Sequence, residues 1–275
     1  MQDLYLLILL GFFIGTIGTL IGAGGGFILV PILILLHPEF TPETITAISM
    51  AVVACNAISG SASYMTSKRV DYRAGIIFAA FTIPGSILGV YTTQVIPRNL
   101  FDIIFGIVLF LLAIFLFLKG GNKKAVGKPE AAHKGWVQQH ITDKWNEKYD
   151  YAYDIRKGSI LSVFVGYFSP LLGIGGGIIH VPAMVEWLRF PVHIATATSQ
   201  FILAIMATVS VLVHVIEGGY NDPVIYNMVI GLVIGVIPGA TLGAYLSKHL
   251  KGRMIIKVLA VSLAVIGARI LIARF

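Results

Sequence analysis

Long apolar runs alternate with short polar joints along this chain. Eight apolar segments stand out, at roughly 4–36, 44–66, 74–96, 100–118, 158–185, 192–216, 224–246 and 254–273. They are too long and too uniform for the alternating wall of a barrel, so they predict helices able to cross roughly 30 Å of hydrocarbon. Four precede and four follow the hydrophilic stretch 119–157. The predicted class is an all-α polytopic membrane protein with a first membrane unit at 1–118, a cytoplasmic linker at 119–157 and a second membrane unit at 158–275.

The two units repeat. IGAGGGFILVPIL at 21–33 is answered by LGIGGGIIHVPAM at 172–184, TAISM at 46–50 by TATSQ at 196–200, and IPGSILG at 83–89 by IPGATLG at 237–243. Three landmarks in one order predict a duplicated four-segment unit, an organisation found in secondary transporters.

Composition agrees: 57% of residues are hydrophobic, 12% are charged, and the mean hydropathy is +0.87. An ordinary soluble fold is excluded. The net charge of +7 does not point to nucleic acid, because the basic residues collect in the linker and the short loops. The linker holds nine Lys or Arg against five Asp or Glu, interleaved with Trp136, Trp145, Tyr149, Tyr151 and Tyr153. It reads as a cytoplasmic connection, any helix in it lying on the lipid headgroups. The single cysteine, Cys55, leaves no intramolecular disulfide and no CxxC motif, and neither metal nor cofactor is expected. The first residues carry Asp3 and no basic stretch ahead of a long apolar run, so they predict a retained segment.

Loop charges weigh two topologies. With eight full spans in parallel repeats and the linker excluded, four Lys or Arg lie inside and five outside, which breaks the positive-inside rule. Suppose instead that the first segment of each half enters the membrane, turns at its glycines and leaves on the same side. The halves are then inverted, and Lys68, Arg69, Arg73, Arg189, Lys248, Lys251 and Arg253 lie inside against Arg98 and Arg274 outside. Glu39, Glu43, Glu217 and Asp222 face outward, as do both termini. A first segment of 33 residues would measure about 50 Å as one helix, which also favours a break.

Three readings of the glycines compete. A dinucleotide fingerprint fails, because Phe27 and Ile178 stand where its third glycine belongs and no soluble strand precedes. Small-xxx-small packing is available to Gly11/Gly15, Gly18/Gly22 and Gly22/Gly26. The third reading is a helix break lining a cavity. Consecutive glycines weaken a helix by about 1 kcal/mol each, and Pro31 and Pro182 follow where a second half-helix begins. The amides of Gly24, Gly25, Gly26 and Phe27, and of Gly175, Gly176, Gly177 and Ile178, would then offer N–H groups to an anion from opposite sides.

Ser49 and Ser199 occupy matching places, Gln200 follows, and Asn56 lies about two turns beyond Ser49. Such side chains either donate to an oxyanion or bond between helices; membrane Thr and Ser also bond their own helix. His180 and His214 are candidates for a proton relay, although packed neutral histidines are the plainer reading. Asp102, Lys257 and Arg269 belong at segment ends. The matching Pro84-Gly85 and Pro238-Gly239 pairs suggest kinks. No GxSxG or HExxH motif and no intramembrane carboxylate pair is present, so no enzyme activity is expected.

Paired GxGGGxxxxP stretches, each followed by TAxS and then IPGxxLG, resemble the sulfite exporter TauE/SafE family of bacterial and archaeal membrane transporters. The resemblance covers all but the long linker. It implies transport of sulfite, thiosulfate or an organosulfonate such as sulfoacetate across the cytoplasmic membrane. The partners expected are a small anion and the lipid bilayer, with self-association left open. Two further readings remain: a transporter of another small anion or metabolite, and a non-transporting scaffold whose glycines only pack helices.

Overall fold

The computed structural model describes residues 4–119 and 136–250, with Met254 and Val261. The rest of the final apolar segment, Lys257 and Arg269 included, lies outside the described residues, as do Lys251, Arg253 and Arg274. The order is α1 (Leu4–Ile21), α2 (Gly26–Leu36), α3 (Pro42–Thr66), α4 (Tyr72–Val95), α5 (Arg98–Lys119), β1 (Trp136–Thr142), β2 (Lys148–Asp154), α6 (Ile155–Leu172), α7 (Gly177–Glu186), α8 (Val192–Ile216) and α9 (Pro223–Ser247). Among the described residues, α1, α3, α4, α8 and α9 are long and apolar enough to cross a membrane. This is a helical, multi-pass membrane protein.

The helices start where polar caps interrupt the apolar runs. Thr41, Asp71, Asp154 and Asp222 each accept a backbone N–H of the helix that follows, and Pro42 and Pro223 occupy first-turn positions.

The first apolar run of each half is divided at its glycines. Gly24 and Gly25 have φ of +80° and +85°, and Gly173 and Gly175 have +65° and +78°, a left-handed conformation that ends one helix and turns the chain. The same bonds recur in both bends. Ala23 N–H donates to the Gly18 carbonyl at 2.7 Å and Leu29 N–H to Gly25 at 3.2 Å; Ile174 N–H donates to Ser169 at 3.2 Å and His180 N–H to Gly176 at 2.8 Å.

On either side of each bend the two helices adjoin. Leu29, Leu33 and Leu36 of α2 share one groove with Leu6, Leu7 and Leu10 of α1. In the second half, a side chain at Gly176 would meet Val165, and His180 meets Ser162.

Around these hairpins the halves exchange partners. Helix α1 lies on α9 and α6 on α4, with backbones so close that a Cβ added at Gly235 would sit 1.9 Å from the Ile8 carbonyl, and one at Gly166 2.3 Å from that of Thr82. Helices α3 and α8 pack together at the centre through Met50, Val53, Ala57, Leu203 and Met206.

The linker departs from expectation. Its described part is an antiparallel β-hairpin, pairing Trp136 with Asp154 through Thr142 with Lys148, rather than a headgroup helix. The alternation of Tyr149, Tyr151 and Tyr153 explains it: side chains two apart share one face of a strand. All three are buried with Phe78, Met184 and Phe190. Arg69 donates twice to Asp143 Oδ2, at 2.9 and 2.8 Å, and the Tyr151 hydroxyl donates to Asp71 at 2.7 Å.

The hairpin marks one end of the bundle. Lys144 N–H bonds the Ser67 carbonyl at 3.1 Å, Arg189 lies 6.0 Å from the Trp136 ring centroid, and Lys248 lies 5.6 Å from that of Trp145. At the other end Arg98 bonds the Phe40 carbonyl, and Gln94 Nε2 donates to Glu217 at 3.3 Å.

Candidate functional site

The two glycine bends meet beside the middle turns of α3 and α8. Val53 lies within 3.0 Å of a Cβ added at Gly24 and 3.5 Å of one added at Gly175, and Leu203 also touches the Gly24 position; both stand near the middle of 25-residue helices. The bends touch one another directly. A Cβ at Gly26 would lie 2.2 Å from the Gly173 carbonyl oxygen, and one at Gly177 would lie 1.8 Å from that of Gly22.

Polar side chains bind this junction across the halves. Ser49 Oγ donates to the Gly173 carbonyl at 2.6 Å, and Ser199 Oγ donates to the Gly22 carbonyl at 3.2 Å. Asn56 Nδ2 donates to the Gly24 carbonyl at 2.7 Å. Gln200 Nε2 donates to Thr19 Oγ1 at 3.1 Å, and Thr19 donates in turn to Asn56 Oδ1. Gln200 Oε1 is buried without a hydrogen-bond partner among the described residues, which makes it the unsatisfied acceptor of the cluster.

The expected residues therefore converge, with a different emphasis. Ser49, Ser199 and Asn56 turn their donors toward backbone carbonyls freed by the bends. The N–H groups of Gly25, Gly26 and Phe27 find no acceptor among the described residues, as the first turn of a helix requires. Ile178 N–H makes only a 3.4 Å bond to Gly175. With Phe27 and Ile178 wholly buried, these amides face protein packed tightly around them.

Thr19 and Tyr64 join these residues. The Tyr64 hydroxyl donates to the Thr19 carbonyl at 2.9 Å, closing the polar cluster on its far side. Their sequence signal is weak: a lone buried Thr and a lone buried Tyr in apolar runs.

The histidines stand apart. His180 Nε2 lies 3.2 Å from Ser162 Oγ, whereas His214 sits beside Tyr220 near the opposite end, neither ring nitrogen having a hydrogen-bond partner among the described residues. No hydrogen bond joins them. Among the described residues no cluster of His, Cys, Asp and Glu could hold a metal ion. Asp102 pairs with Arg98 at 3.0 Å, the segment-end role expected of it.

The sequence profile described as Sulfite exporter TauE/SafE matches residues 7–270. The chain belongs to the TauE/SafE family. Among proteins similar to this chain, "Probable membrane transporter protein YunE" of Bacillus subtilis (strain 168) is 35% identical over 222 residues, covering 78% of this chain and 80% of its own. "Probable membrane transporter protein YdhB" of the same organism is 24% identical over 227 residues, covering 82% and 84%. "Sulfite exporter TauE/SafE family protein 3" of Arabidopsis thaliana is 33% identical over 138 residues, 46% of this chain and 28% of its own. No solved structure matches significantly. Membership in TauE/SafE makes this chain a membrane transporter.

Proposed function

We propose that this TauE/SafE chain exports a small sulfur-containing anion, such as sulfite, thiosulfate or sulfoacetate, across the cytoplasmic membrane. It does so by alternating access at the junction of the two glycine bends. The observation that carries the reading is the cross-half lock, in which Ser49 holds Gly173 and Ser199 holds Gly22. The bends are closed on each other here, so an anion enters only when they part. Parting frees both serine hydroxyls and uncovers the unbonded amides of the two short helices, whose positive ends favour negative charge.

The inverted arrangement supports this cycle. Both ends of the α6–α7 hairpin lie by the β-hairpin: Asp154 pairs with Trp136, and the Phe190 ring packs tilted against Tyr153 with centroids 4.7 Å apart. Both ends of the α1–α2 hairpin lie by Leu6 and His37. Each is read as re-entrant, entering and leaving on one face. The β-hairpin end, with Arg69, Arg189 and Lys248, is cytoplasmic; the Glu39, Arg98 and Glu217 end is outside. With the interior about 100 mV negative, each unit of negative charge gains about 2.3 kcal/mol on leaving, so export requires no coupled ion. His180 and His214, unconnected to each other, supply no proton relay for it.

Flux in proteoliposomes is the direct test. Sulfite, thiosulfate or sulfoacetate should move down its gradient and faster under a potential that draws anions out. Purified protein that passes none of them, in either orientation, overturns the substrate class.

A further inference from the structure

At the β-hairpin end a pocket of about 320 Å³ opens between α3, α9 and the turn joining β1 to β2. Its lining brings together the lysines Lys144 and Lys248, the hydroxyl residues Ser63, Ser67 and Thr241, and the Trp145 ring. The lining contains no carboxylate. Neither lysine has an ion-pair partner among the described residues.

The nearby acids are already engaged. Asp143 holds Arg69, and Glu147 accepts the Tyr149 hydroxyl at 2.7 Å while lying 4.0 Å from Arg69. Lys248 Nζ instead rests 3.7 Å from the Tyr245 ring centroid and 5.6 Å from that of Trp145. An aromatic face compensates an ammonium only in part, so Lys248 retains most of its attraction for an anion.

The chemistry of the pocket is specific enough to name a ligand class. Two ammonium groups supply charge; the hydroxyls of Ser63, Ser67 and Thr241 donate to carbonyls of their own helices, at 3.1, 3.1 and 3.3 Å, and each turns its one O–H to an anion only by giving up that bond. We propose that this pocket is a second oxyanion site, separate from the glycine bends, in which Lys144 and Lys248 hold a sulfonate, sulfate or phosphate group. Two sources share that chemistry: a free anion arriving from solution and the phosphate of a lipid headgroup.

A polar seam leads inward from it. Ser63 Oγ donates to the Ser59 carbonyl at 3.1 Å, and Ser59 Oγ lies 3.3 Å from Thr241 Oγ1. Tyr64, beside Ser63, reaches Thr19 in the central cluster. A basic mouth above such a seam raises the local concentration of a free anion. The site stands whether or not the bends are the transport site.

The full chain is tested in nanodiscs, with Trp136→Phe and Trp187→Phe leaving Trp145 as the one reporter of the three tryptophans. In phosphatidylcholine discs, sodium sulfate should change Trp145 emission saturably and beyond sodium chloride at equal ionic strength. In discs containing phosphatidylglycerol, the change should precede sulfate if lipid phosphate is the occupant. Lys144→Gln with Lys248→Gln should raise the midpoint at least tenfold or abolish the response. Equilibrium dialysis of radiolabelled sulfate reads the same site with all tryptophans in place.

The proposal is overturned if sulfate acts no differently from chloride and phosphatidylglycerol changes nothing. A response that survives the double lysine variant also overturns it. Anion flux without a sulfate response removes this site and leaves transport standing; a response without flux does the reverse.

Discussion

Ser49 donates to the carbonyl of Gly173, 124 positions away in the other half of the chain, at 2.6 Å. Its counterpart Ser199 returns the contact to Gly22. A bend in the middle of a membrane helix leaves backbone oxygens without intrahelical partners, and each such oxygen is costly to bury unpaired. Here each half satisfies the other, so the closed junction depends on both.

Replacing Ser49 with Ala should strand the buried Gly173 carbonyl and destabilise the closed state by about 1–3 kcal/mol. Ser199→Ala should do less, its bond being longer at 3.2 Å. Thermal unfolding in detergent ranks them; equal, unchanged midpoints would show that the lock carries no weight.

Gly176 and Gly177 are adjacent yet should respond oppositely to alanine. A Cβ at Gly177 would lie 1.8 Å from the Gly22 carbonyl oxygen, whereas at Gly176 the nearest atoms are side-chain methyls of Val165 and Met206, at 2.9 and 3.3 Å. Gly176 also has an ordinary helical φ of −59°. Gly177→Ala should therefore abolish flux, and Gly176→Ala should retain most of it. Flux retained by both returns the glycines to a packing role.

Arg189 and Asp222 separate the two topologies. The inverted arrangement puts Arg189 in the cytoplasm and Asp222 outside; eight parallel spans reverse them. In a Cys55→Ser background, an impermeant maleimide applied to intact cells should label Asp222→Cys and spare Arg189→Cys. Labelling of Arg189→Cys alone would reverse the assignment.

Docking of the β-hairpin should weaken in acid. Burial raises the Asp143 carboxyl, but the Arg69 hydrogen bonds and the N–H groups of Glu147 and Trp145 outweigh it and hold it below the ordinary 3.8. A carboxyl lowered by folding contributes its full stabilisation above the ordinary value and loses it as pH falls through the lower, folded one. Trp145 emission and protease sensitivity at 136–154 should thus stay constant from pH 7 to 5 (about one unit above the ordinary carboxylate range) and change only in stronger acid. Arg69→Gln should move that change to higher pH.

Much of this architecture was legible in one dimension. Apolar run length and low charge determined a polytopic helical membrane protein, because hydrocarbon demands satisfied backbones and side chains it can dissolve. The paired glycine motifs and the matched TAISM and TATSQ segments marked where the two halves would converge, since the tolerance for a bend is local to the backbone. The alternation of Tyr149, Tyr151 and Tyr153 carries the period of two that a strand requires, inside a segment whose charge and polarity also suit a linker.

Tertiary structure alone decided the partners. Nothing near Ser49 in the chain indicates that its hydroxyl serves Gly173 rather than its own helix, and nothing near Asn56 indicates Gly24 or Thr19. Nor does local sequence tell that Lys144 and Lys248 face one pocket. Hydrogen bonds and charges act over a few ångströms in space, and chain position constrains that distance only for neighbours. Pairings across more than a hundred residues exist only once the helices have packed.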